Sequence, residues 1–430
     1  MRAVAGVDWG ADRRTLLCMY QALVRSTIDY GCFIYGAAAK TVIQGLDRVQ
    51  SRALRLCVGA IRTTPVVVLQ VDTGELPLSL RRDKLALSYW GRLKGRAESH
   101  TAVVATRECW ERDKSSLRMY GWTIGQKVTE YGLEGIEIGP AIALGPIPPW
   151  MFPMPRVDVG MMEERREWGK GDVSVCVEKY VCKRFYGFVR VYTDGAKVVN
   201  GGRAGAGVHV PEFSVSICKR VTDNVSVYTA EMVAMIIGLR WVEDVTPCRV
   251  LICSDSAAVL SSVLDGRSDR EDLLGELMGI LLGLERQGVE VRFCWVPAHA
   301  GVEGNEVADM VAKSAVRRTD GVRVSLGRRE VKSLIREAGI AEWERQWGEG
   351  GKGRHFRGIN RSVKEVGGMM GCRREEVVWS RLRYGHTGLN GTLRVVAKHD
   401  TGTRGCTTGY RREAVTGLTL QCSRWRYMHL

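Results

Sequence analysis

The sequence has no long uninterrupted run of apolar residues. The longest candidates, such as LLGELMGILLGL, are too short and too often broken to span a bilayer, which takes about 20 consecutive apolar residues. The first residues, MRAVAGVDWGADRRTL, also lack the apolar core of a secretory signal peptide. We therefore expect a soluble, intracellular protein that does not interact with membranes.

Regular cysteine spacing, internal repeats and low-complexity tracts are also absent. The 13 cysteines are odd in number, and several lie in apolar, strand-like runs, where cysteine acts as a small hydrophobic side chain. This usage favours a reducing compartment. With 430 residues, 45% of them apolar, the chain is long enough for two or three domains with a buried core.

Acidic residues are scarce towards the C-terminus. Residues 323–430 contain 22 Lys and Arg against 10 Asp and Glu, a net charge of +12, whereas residues 188–318 contain 14 against 17, a net charge of −3. The overall charge of +15 is therefore a property of the C-terminal region. It indicates either a solvated or poorly folded tail or a nucleic-acid-binding surface, and composition leaves both open.

Proline is rare except in one stretch. Six of the 11 prolines lie in GPAIALGPIPPWMFPMP, which cannot continue a helix or a central strand. We therefore predict a Pro-rich linker over 140–187, after a helical region over 1–139. Helical spacing of apolar residues is clear in TVIQGLDRVQSRALRLCVGAIRTTP, where Arg48, Arg52 and Arg55 lie on the polar side.

Residues 188–318 alternate between strand-like and helical patterns. FVRVYTD, AGAGVHV and FSVSICK predict an antiparallel meander, and CRVLICSD and VEVRFCWVP predict two further strands among helices. We expect an α/β fold in which a five-stranded mixed sheet is flanked by helices. In the last helix, NEVADMVAKSAV, we expect Asn305 as the N-cap and Val307, Met310 and Val311 facing the core.

Four acids lie on separate elements of this predicted sheet. Asp194 and Asp255 are expected at strand ends, and Glu231 and Asp309 in the first turns of helices. Each has an ordinary explanation taken alone, because aspartate forms turns and an acid in a first helical turn complements the helix dipole. Their combination on one small sheet favours a shared site at the carboxyl ends of the strands.

Such a cluster of carboxylates repels itself when it is empty. Mg²⁺ suits an all-carboxylate site, and two ions about 3.5 to 4 Å apart can stabilise both oxygens of a phosphodiester displacement. The cluster therefore predicts phosphodiester hydrolysis with two Mg²⁺ ions, with Mn²⁺ as the alternative.

VYTDGA, the TAE of VYTAEM, CSDSAAVL and WVPAHAGVEGNEVADMVAK, in this order, resemble the four motifs of a type I ribonuclease H domain over 188–318. The resemblance implies that Asp194, Glu231, Asp255 and Asp309 hold two Mg²⁺ ions and are catalytic. It also implies that His299, on a mobile loop, assists proton transfer and product release. The implied reaction is endonucleolytic cleavage of the RNA strand of an RNA–DNA hybrid.

One residue departs from the family pattern. Ala196 replaces the hydroxyl residue that is common after TDG, so a contact near the site is weakened without loss of a ligand.

The first third resembles a different kind of protein segment. MYQALVRSTIDYGCFIYG, LDRVQSRALRLCVGAIRTTP and GELPLSLRRDKLALSYWGRL are similar to the segment after the reverse transcriptase palm in LINE-type (jockey-like) non-LTR retrotransposon polyproteins. Residues 1–139 are thus expected to be a helical remnant of the reverse transcriptase thumb or connection. The sequence contains no pair of adjacent aspartates, which excludes polymerase activity of the YxDD type.

The region 319–430 resembles the retroelement tail that carries a Cys/His zinc cluster, but in degenerate form. Cys406 and Cys422 remain, whereas Gly409 and Gly417 stand where a cysteine and the histidine are expected. Two ligands do not make a structural zinc site, so we predict no bound zinc.

Bound zinc would instead point to ligands such as His386 or His399. The alternative function is that of a non-catalytic, basic nucleic-acid-binding remnant of a retroelement. The sequence does not indicate an oligomeric state.

Overall fold

The computed structural model describes residues 1–36, 38–111, 120–140, 147–165, 173–198, 201–365 and 371–386. These residues divide into two compact units, 83–339 on the one hand and 1–82 with 340–386 on the other. None of the helices in the described ranges is long and apolar enough to cross a membrane.

The α-helices, in chain order, are α1 (Arg13–Met19), α2 (Ser26–Asp29), α3 (Cys32–Tyr35), α4 (Lys40–Val58), α5 (Val66–Thr73), α6 (Leu78–Lys94), α7 (Thr101–Glu111), α8 (Tyr120–Glu130), α9 (Gly160–Glu164), α10 (Val173–Arg184), α11 (Val227–Val245), α12 (Ala257–Asp265), α13 (Glu271–Arg286), α14 (Glu303–Ala315), α15 (Arg328–Glu349), α16 (Arg354–Ile359) and α17 (Arg373–Arg383). The strands are β1 (Arg156–Asp158), β2 (Val189–Lys197), β3 (Ala204–Val210), β4 (Val215–Val221), β5 (Arg249–Ser254), β6 (Glu290–Trp295) and β7 (Gly321–Val322).

The strands of unit 83–339 form one mixed sheet in the order β1-β6-β5-β2-β3-β4-β7. Strands β2, β3 and β4 are an antiparallel meander, and β5 and β6 run parallel to β2. The mixed α/β fold is therefore confirmed, and its five predicted strands are the central five of seven. Two short strands that we did not predict, β1 and β7, pair in parallel with β6 and β4 at the edges.

Alternating side chains along the central strands pack on opposite faces of the sheet. Val191 and Ile252 belong to the large core that also contains the buried side of α11 and α13. Tyr192 and Cys253, one residue further along each strand, belong to a smaller cluster with the buried side of α10. Helices thus cover both faces, as the sequence predicts.

The described part of the predicted Pro-rich linker, 140–187, is more structured than we expected. It contains β1, α9 and α10, and Val177 and Val181 of α10 are buried in the same cluster as Tyr192. The Tyr180 hydroxyl donates a hydrogen bond of 2.8 Å to Asp158 Oδ1 at the end of β1. Because β1 pairs with β6, this segment extends the sheet.

Helix α14 packs on the sheet through small residues, so our prediction for its buried face was wrong. Met310 is 60% exposed, whereas Ala308 and Ala312 are fully buried. A Cβ at Gly205 would lie 2.5 Å from the carbonyl oxygen of Ala312, and one at Gly207 would lie 2.4 Å from that of Ala308. The helix backbone therefore lies directly on β3, at a distance that larger residues would not allow.

The N-cap of α14 was also predicted wrongly. The helix begins at Glu303 with Val302 at the N-cap position, so Asn305 lies inside its first turn.

The other unit, 1–82 with 340–386, is helical. Its core brings together residues from both chain segments, among them Leu16, Leu54, Trp347 and Phe356. The helical character predicted for the N-terminal region is thus present, and 340–386 completes the same core. The remainder of the C-terminal region, with Cys406, Cys422 and His399, lies outside the described residues.

A buried carboxylate links the two segments of this unit. Asp72 is fully buried and forms ion pairs with Arg13 at 2.8 Å and with Arg383 at 2.6 Å. The Tyr384 hydroxyl donates a further hydrogen bond of 2.6 Å to it. A buried charge is tolerated when it is paired and hydrogen-bonded in this way.

Candidate active site

Asp194 lies within β2 and not at the strand end that we expected, and it is only 7% exposed. The strand continues for three residues, and Asp194 pairs with Gly207 of β3. A turn-forming role is therefore excluded for this aspartate. A carboxylate held inside a strand at this burial needs another physical reason.

Glu231 and Asp309 also lie further along their helices than we predicted. Helix α11 begins at Val227, and the Ser226 hydroxyl caps it by accepting a hydrogen bond from the N–H of Thr229. Glu231 is thus the fifth residue of α11, and Asp309 is the seventh of α14. Because the helix dipole acts within the first turn, it does not explain either acid.

Gly195 brings Glu231 close to Asp194. A Cβ at position 195 would lie 2.3 Å from the backbone nitrogen of Glu231 and 2.6 Å from the carbonyl carbon of Ala230. The glycine therefore allows α11 to approach β2 directly. The backbone N–H of Gly195 also acts to lower the pKa of the Glu231 carboxyl group, against the larger effect of burial.

Asp255 follows β5 directly, at the strand end predicted for it. The Trp295 Nε1–H donates a hydrogen bond of 3.0 Å to its backbone carbonyl oxygen. Asn305 Nδ2 donates a longer bond of 3.4 Å to its carboxylate. These contacts fix the turn after β5 against β6 and α14.

The structure brings all five predicted site residues to one cleft of about 910 Å³. The ligand atoms of Asp194, Glu231 and Asp255 lie within 4.8 Å of one another. His299 and Asp309 form a second group, also within 4.8 Å, with a residue that we missed, Glu306. Its signal in the sequence is its position three residues before Asp309, which places both acids on one face of a helix.

Burial and mutual repulsion perturb this cluster. Burial, followed by the charges of Asp255 and Asp309, raises the pKa of Asp194 to about 7. Burial, followed by the charges of Asp194 and Asp255, raises the pKa of Glu231 to about 9. The pKa of Asp255 is also raised by burial, against the opposing effect of the hydrogen bond from Asn305.

One oxygen of Glu231 suits a cation. Glu231 is only 6% exposed, and its Oε2 atom is buried without a hydrogen-bond partner in the described part of the chain. Buried carboxylate oxygens are normally paired, and a hard divalent cation prefers oxygen ligands of this kind. The donor set of Asp194, Glu231 and Asp255 therefore fits a hard divalent cation.

His299 lies in the segment between β6 and α14 and is exposed to solvent. Its φ of +50° is in the left-handed region, which residues with a side chain seldom adopt. Strained backbone of this kind is common at functional sites. The imidazole lines the same cleft as the acids.

The fold and the carboxylate-lined cleft together define a mixed α/β protein with a candidate metal site at the sheet. The family model described as RNase H matches residues 187–317, in close agreement with the predicted domain. Ribonuclease H of Anaplasma marginale (strain St. Maries) is 31% identical over 143 residues, covering 30% of this chain and 91% of the relative. The chain therefore belongs to the ribonuclease H family.

Two further proteins are similar over the same share of the chain. Ribonuclease H of Rippkaea orientalis (strain PCC 8801 / RF-1) is 33% identical over 151 residues, which are 31% of this chain and 87% of the relative. The solved structure of RNase H1 from the halophilic archaeon Halobacterium salinarum NRC-1 has 22% identity and a TM-score of 0.26, covering 30% of this chain and 98% of its own.

Proposed function

We propose that this protein hydrolyses the RNA strand of RNA–DNA hybrids, using two divalent ions at the acidic cluster. The observation that carries the proposal is the grouping of Asp194, Glu231 and Asp255 within 4.8 Å inside a cleft of about 910 Å³, with Asp309 in the adjacent group. Two buried acids and one half-buried acid at this distance are strongly unfavourable unless protons or cations neutralise them.

The site residues have two roles in this proposal. Asp194, Glu231, Asp255 and Asp309 hold the ions, Mg²⁺ or Mn²⁺. When bound, two such ions polarise the phosphate and activate water for an in-line displacement. His299, exposed at the edge of the cleft, moves a proton to or from the departing group and is not a ligand.

Recognition of the hybrid follows from its shape. An RNA–DNA duplex presents a wide, shallow minor groove with 2′-hydroxyls on one strand only. Two small residues beside the acids, Ala196 in the cleft and the exposed Ala257, leave the backbone next to the site accessible to sugars and phosphates. The expected preference is for the form of the duplex and not for a base sequence.

The test is cleavage of a labelled hybrid by the full chain with Mg²⁺ and with EDTA, against double-stranded DNA, double-stranded RNA and single-stranded RNA. We expect Asp194→Asn to lower the rate by at least on the order of 10²-fold, because it removes a metal-binding charge. His299→Ala should cost less, since the imidazole holds no metal. Asp265→Asn, at an exposed position outside the cleft, is the matched control.

An Asp194→Asn variant that cleaves the hybrid as fast as the wild type would refute the proposal. Salt-sensitive binding of nucleic acids of any sequence, without Mg²⁺-dependent cleavage, would favour the alternative of a non-catalytic binding remnant. The LINE-type origin of the N-terminal region and the absence of zinc from the tail stay predictions.

A further inference from the structure

The cleft that contains the acids is also lined by cationic side chains. Three of them, Lys197, Arg203 and Arg317, are called here the basic rim. Lys313 lines the cleft too, but its ammonium group is 2.6 Å from Asp309 Oδ2 and is thus already paired. The rim differs from Lys313 because its three side chains have no acidic partner among the residues that the structure describes.

Two members of the basic rim lie at one end of the β2–β3 hairpin. Lys197 ends β2 and pairs with Ala204, the first residue of β3. The N–H of Val198 donates a hydrogen bond of 2.9 Å to the carbonyl oxygen of Arg203. Lys197 and Arg203 are therefore held beside each other by backbone pairing, and Lys197 is on the strand that also carries Asp194.

The third member, Arg317, continues the line of α14. Asp309, Lys313 and Arg317 follow one another at intervals of four residues, so they share one side of the helix. The N–H of Arg317 donates to the carbonyl oxygen of Ser314 at 3.1 Å, which extends the last turn beyond Ala315. At 1.5 Å per residue, Arg317 lies about 12 Å along the axis from Asp309.

The charges of the basic rim are available for a ligand. Arg203 and Arg317 are exposed and Lys197 is partly buried, and none has an ion pair or side-chain hydrogen bond among the described residues. The neighbouring Arg318 shows the contrast, because its guanidinium donates to Asp320 at 2.8 Å. Unpaired cations gathered at one cleft concentrate positive potential there, in a domain whose net charge is −3.

We infer that the basic rim binds phosphates of the cleaved strand, on one side of the phosphodiester bond that is hydrolysed at the acidic cluster. This inference rests on the proposed function and names the contacts that keep the substrate in place. The carboxylates repel a polyanion, so phosphates next to the reacting one need cations nearby. The distance of about 12 Å from Asp309 to Arg317 corresponds to roughly three or four phosphates of one strand, at about 3.4 Å each along the duplex axis.

The basic rim touches no reacting atom in this account, so it positions the substrate and is not catalytic. Its removal should therefore weaken binding and raise KM, with kcat nearly unchanged at saturating substrate. Each phosphate contact that is lost should also lower the slope of log K against log salt by roughly 0.7 to 0.9.

The experiment measures binding of a labelled hybrid to the full chain in EDTA over a range of NaCl concentrations, and cleavage with Mg²⁺. Lys197→Ala, Arg203→Ala, Arg317→Ala and the triple variant are compared with the wild type and with Arg318→Ala, the matched control. We expect each rim variant to have a smaller slope of log K against log salt than the wild type, and Arg318→Ala to have the wild-type slope. The basic C-terminal region contributes equally to all variants, so the differences isolate the rim.

The choice of strand is tested with neutral methylphosphonate linkages. When these linkages are placed next to the cleavage site in the RNA strand, wild type and Arg317→Ala should bind the hybrid with the same salt dependence. If the same linkages in the DNA strand instead give these two proteins the same salt dependence, or if Arg317→Ala and Arg318→Ala have equal slopes, the inference is wrong. Wild-type protein that binds the hybrid but never cleaves it would count against the proposed function, independently of these slopes.

Discussion

Replacing Asp194 by asparagine should make the metal-free protein more stable while it abolishes activity. Asparagine keeps the shape of the side chain and removes its charge from a cluster in which Glu231 and Asp255 are within 4.8 Å. The loss of repulsion and of the burial penalty are both favourable to the fold. Sites that bind ions commonly carry this conflict between stability and function.

The magnitude follows from the pKa of Asp194, which rises from 3.8 in the unfolded chain to about 7 in the fold. Between these values the folded state holds more protons than the unfolded state, so the free energy of unfolding falls as the pH rises. At 1.36 kcal/mol per pKa unit the full loss is about 4 kcal/mol. Because Asp194 and Glu231 share their repulsion, we expect about 2 to 4 kcal/mol for the single substitution.

The assay is thermal unfolding of wild type and Asp194→Asn in EDTA at pH 4 and pH 8. At pH 4 the carboxyl group of Asp194 is neutral in the folded protein and about half ionised in the unfolded chain, so the two proteins should differ in stability by less than about 1 kcal/mol. At pH 8 the variant should be more stable by about 2 to 4 kcal/mol, or roughly 5 to 15 °C for a unit of this size. Adding Mg²⁺ should raise the wild-type transition and leave that of Asp194→Asn nearly unchanged, because a ligand stabilises the state that binds it.

That Mg²⁺-dependent shift also identifies which transition belongs to unit 83–339. An Asp194→Asn variant that is less stable than wild type at pH 8, or whose advantage is the same at both pH values, would refute the electrostatic explanation.

Two further substitutions test contacts of this unit. Gly195→Ala should abolish cleavage and lower stability by several kcal/mol, since its Cβ would lie 2.3 Å from the Glu231 nitrogen. Gly283→Ala in α13 is the control, because its Cβ meets only an ordinary 3.6 Å contact. Equal cleavage activity of the two variants would contradict this prediction. Glu330→Gln should cost about 3 kcal/mol in thermal unfolding, because Glu330 is 5% exposed and pairs with Arg270 at 3.3 Å. The exposed Glu337→Gln in the same helix should change little, and a similar loss there would point to the helix and not to the buried pair.

The grouping of the site acids at one end of the sheet was predictable because the motifs fix both spacing and order. The strand containing Asp194 and the strand before Asp255 are parallel neighbours, so the sequence placed both acids at one edge of the sheet. Their burial was not predictable in the same way. It depends on how closely α11 lies against β2, which Gly195 permits, and a glycine in a sequence does not reveal what approaches it.

The buried face of α14 shows why helical periodicity alone was misleading. Apolar size suggested Val307, Met310 and Val311, yet alanines face the sheet because Gly205 and Gly207 leave no room for larger side chains. The correct face was encoded in the strand and not in the helix. Packing between two elements distant in sequence decides such cases.

The edge strand β1 and the core shared by 1–82 and 340–386 were not predicted for a related reason. A three-residue strand among prolines carries no alternation that distinguishes it from a linker. The ion pair of Asp72 with Arg383 joins residues in separate parts of the chain. The sequence around either residue has no local pattern that predicts this pairing. The sequence indicated helices here but not which helices share a core.

The buried Asp72 has a consequence for biosynthesis. Its partner Tyr384 is 312 residues away, so a ribosome working at about 5 to 20 residues per second supplies it roughly 15 to 60 s after Asp72. During that interval unit 83–339 can leave the ribosome and fold, while the first helices still lack Trp347 and Phe356 from their core. We therefore expect the nascent N-terminal helices to be the stretch that chaperones must shield until translation reaches the residues that enclose Asp72.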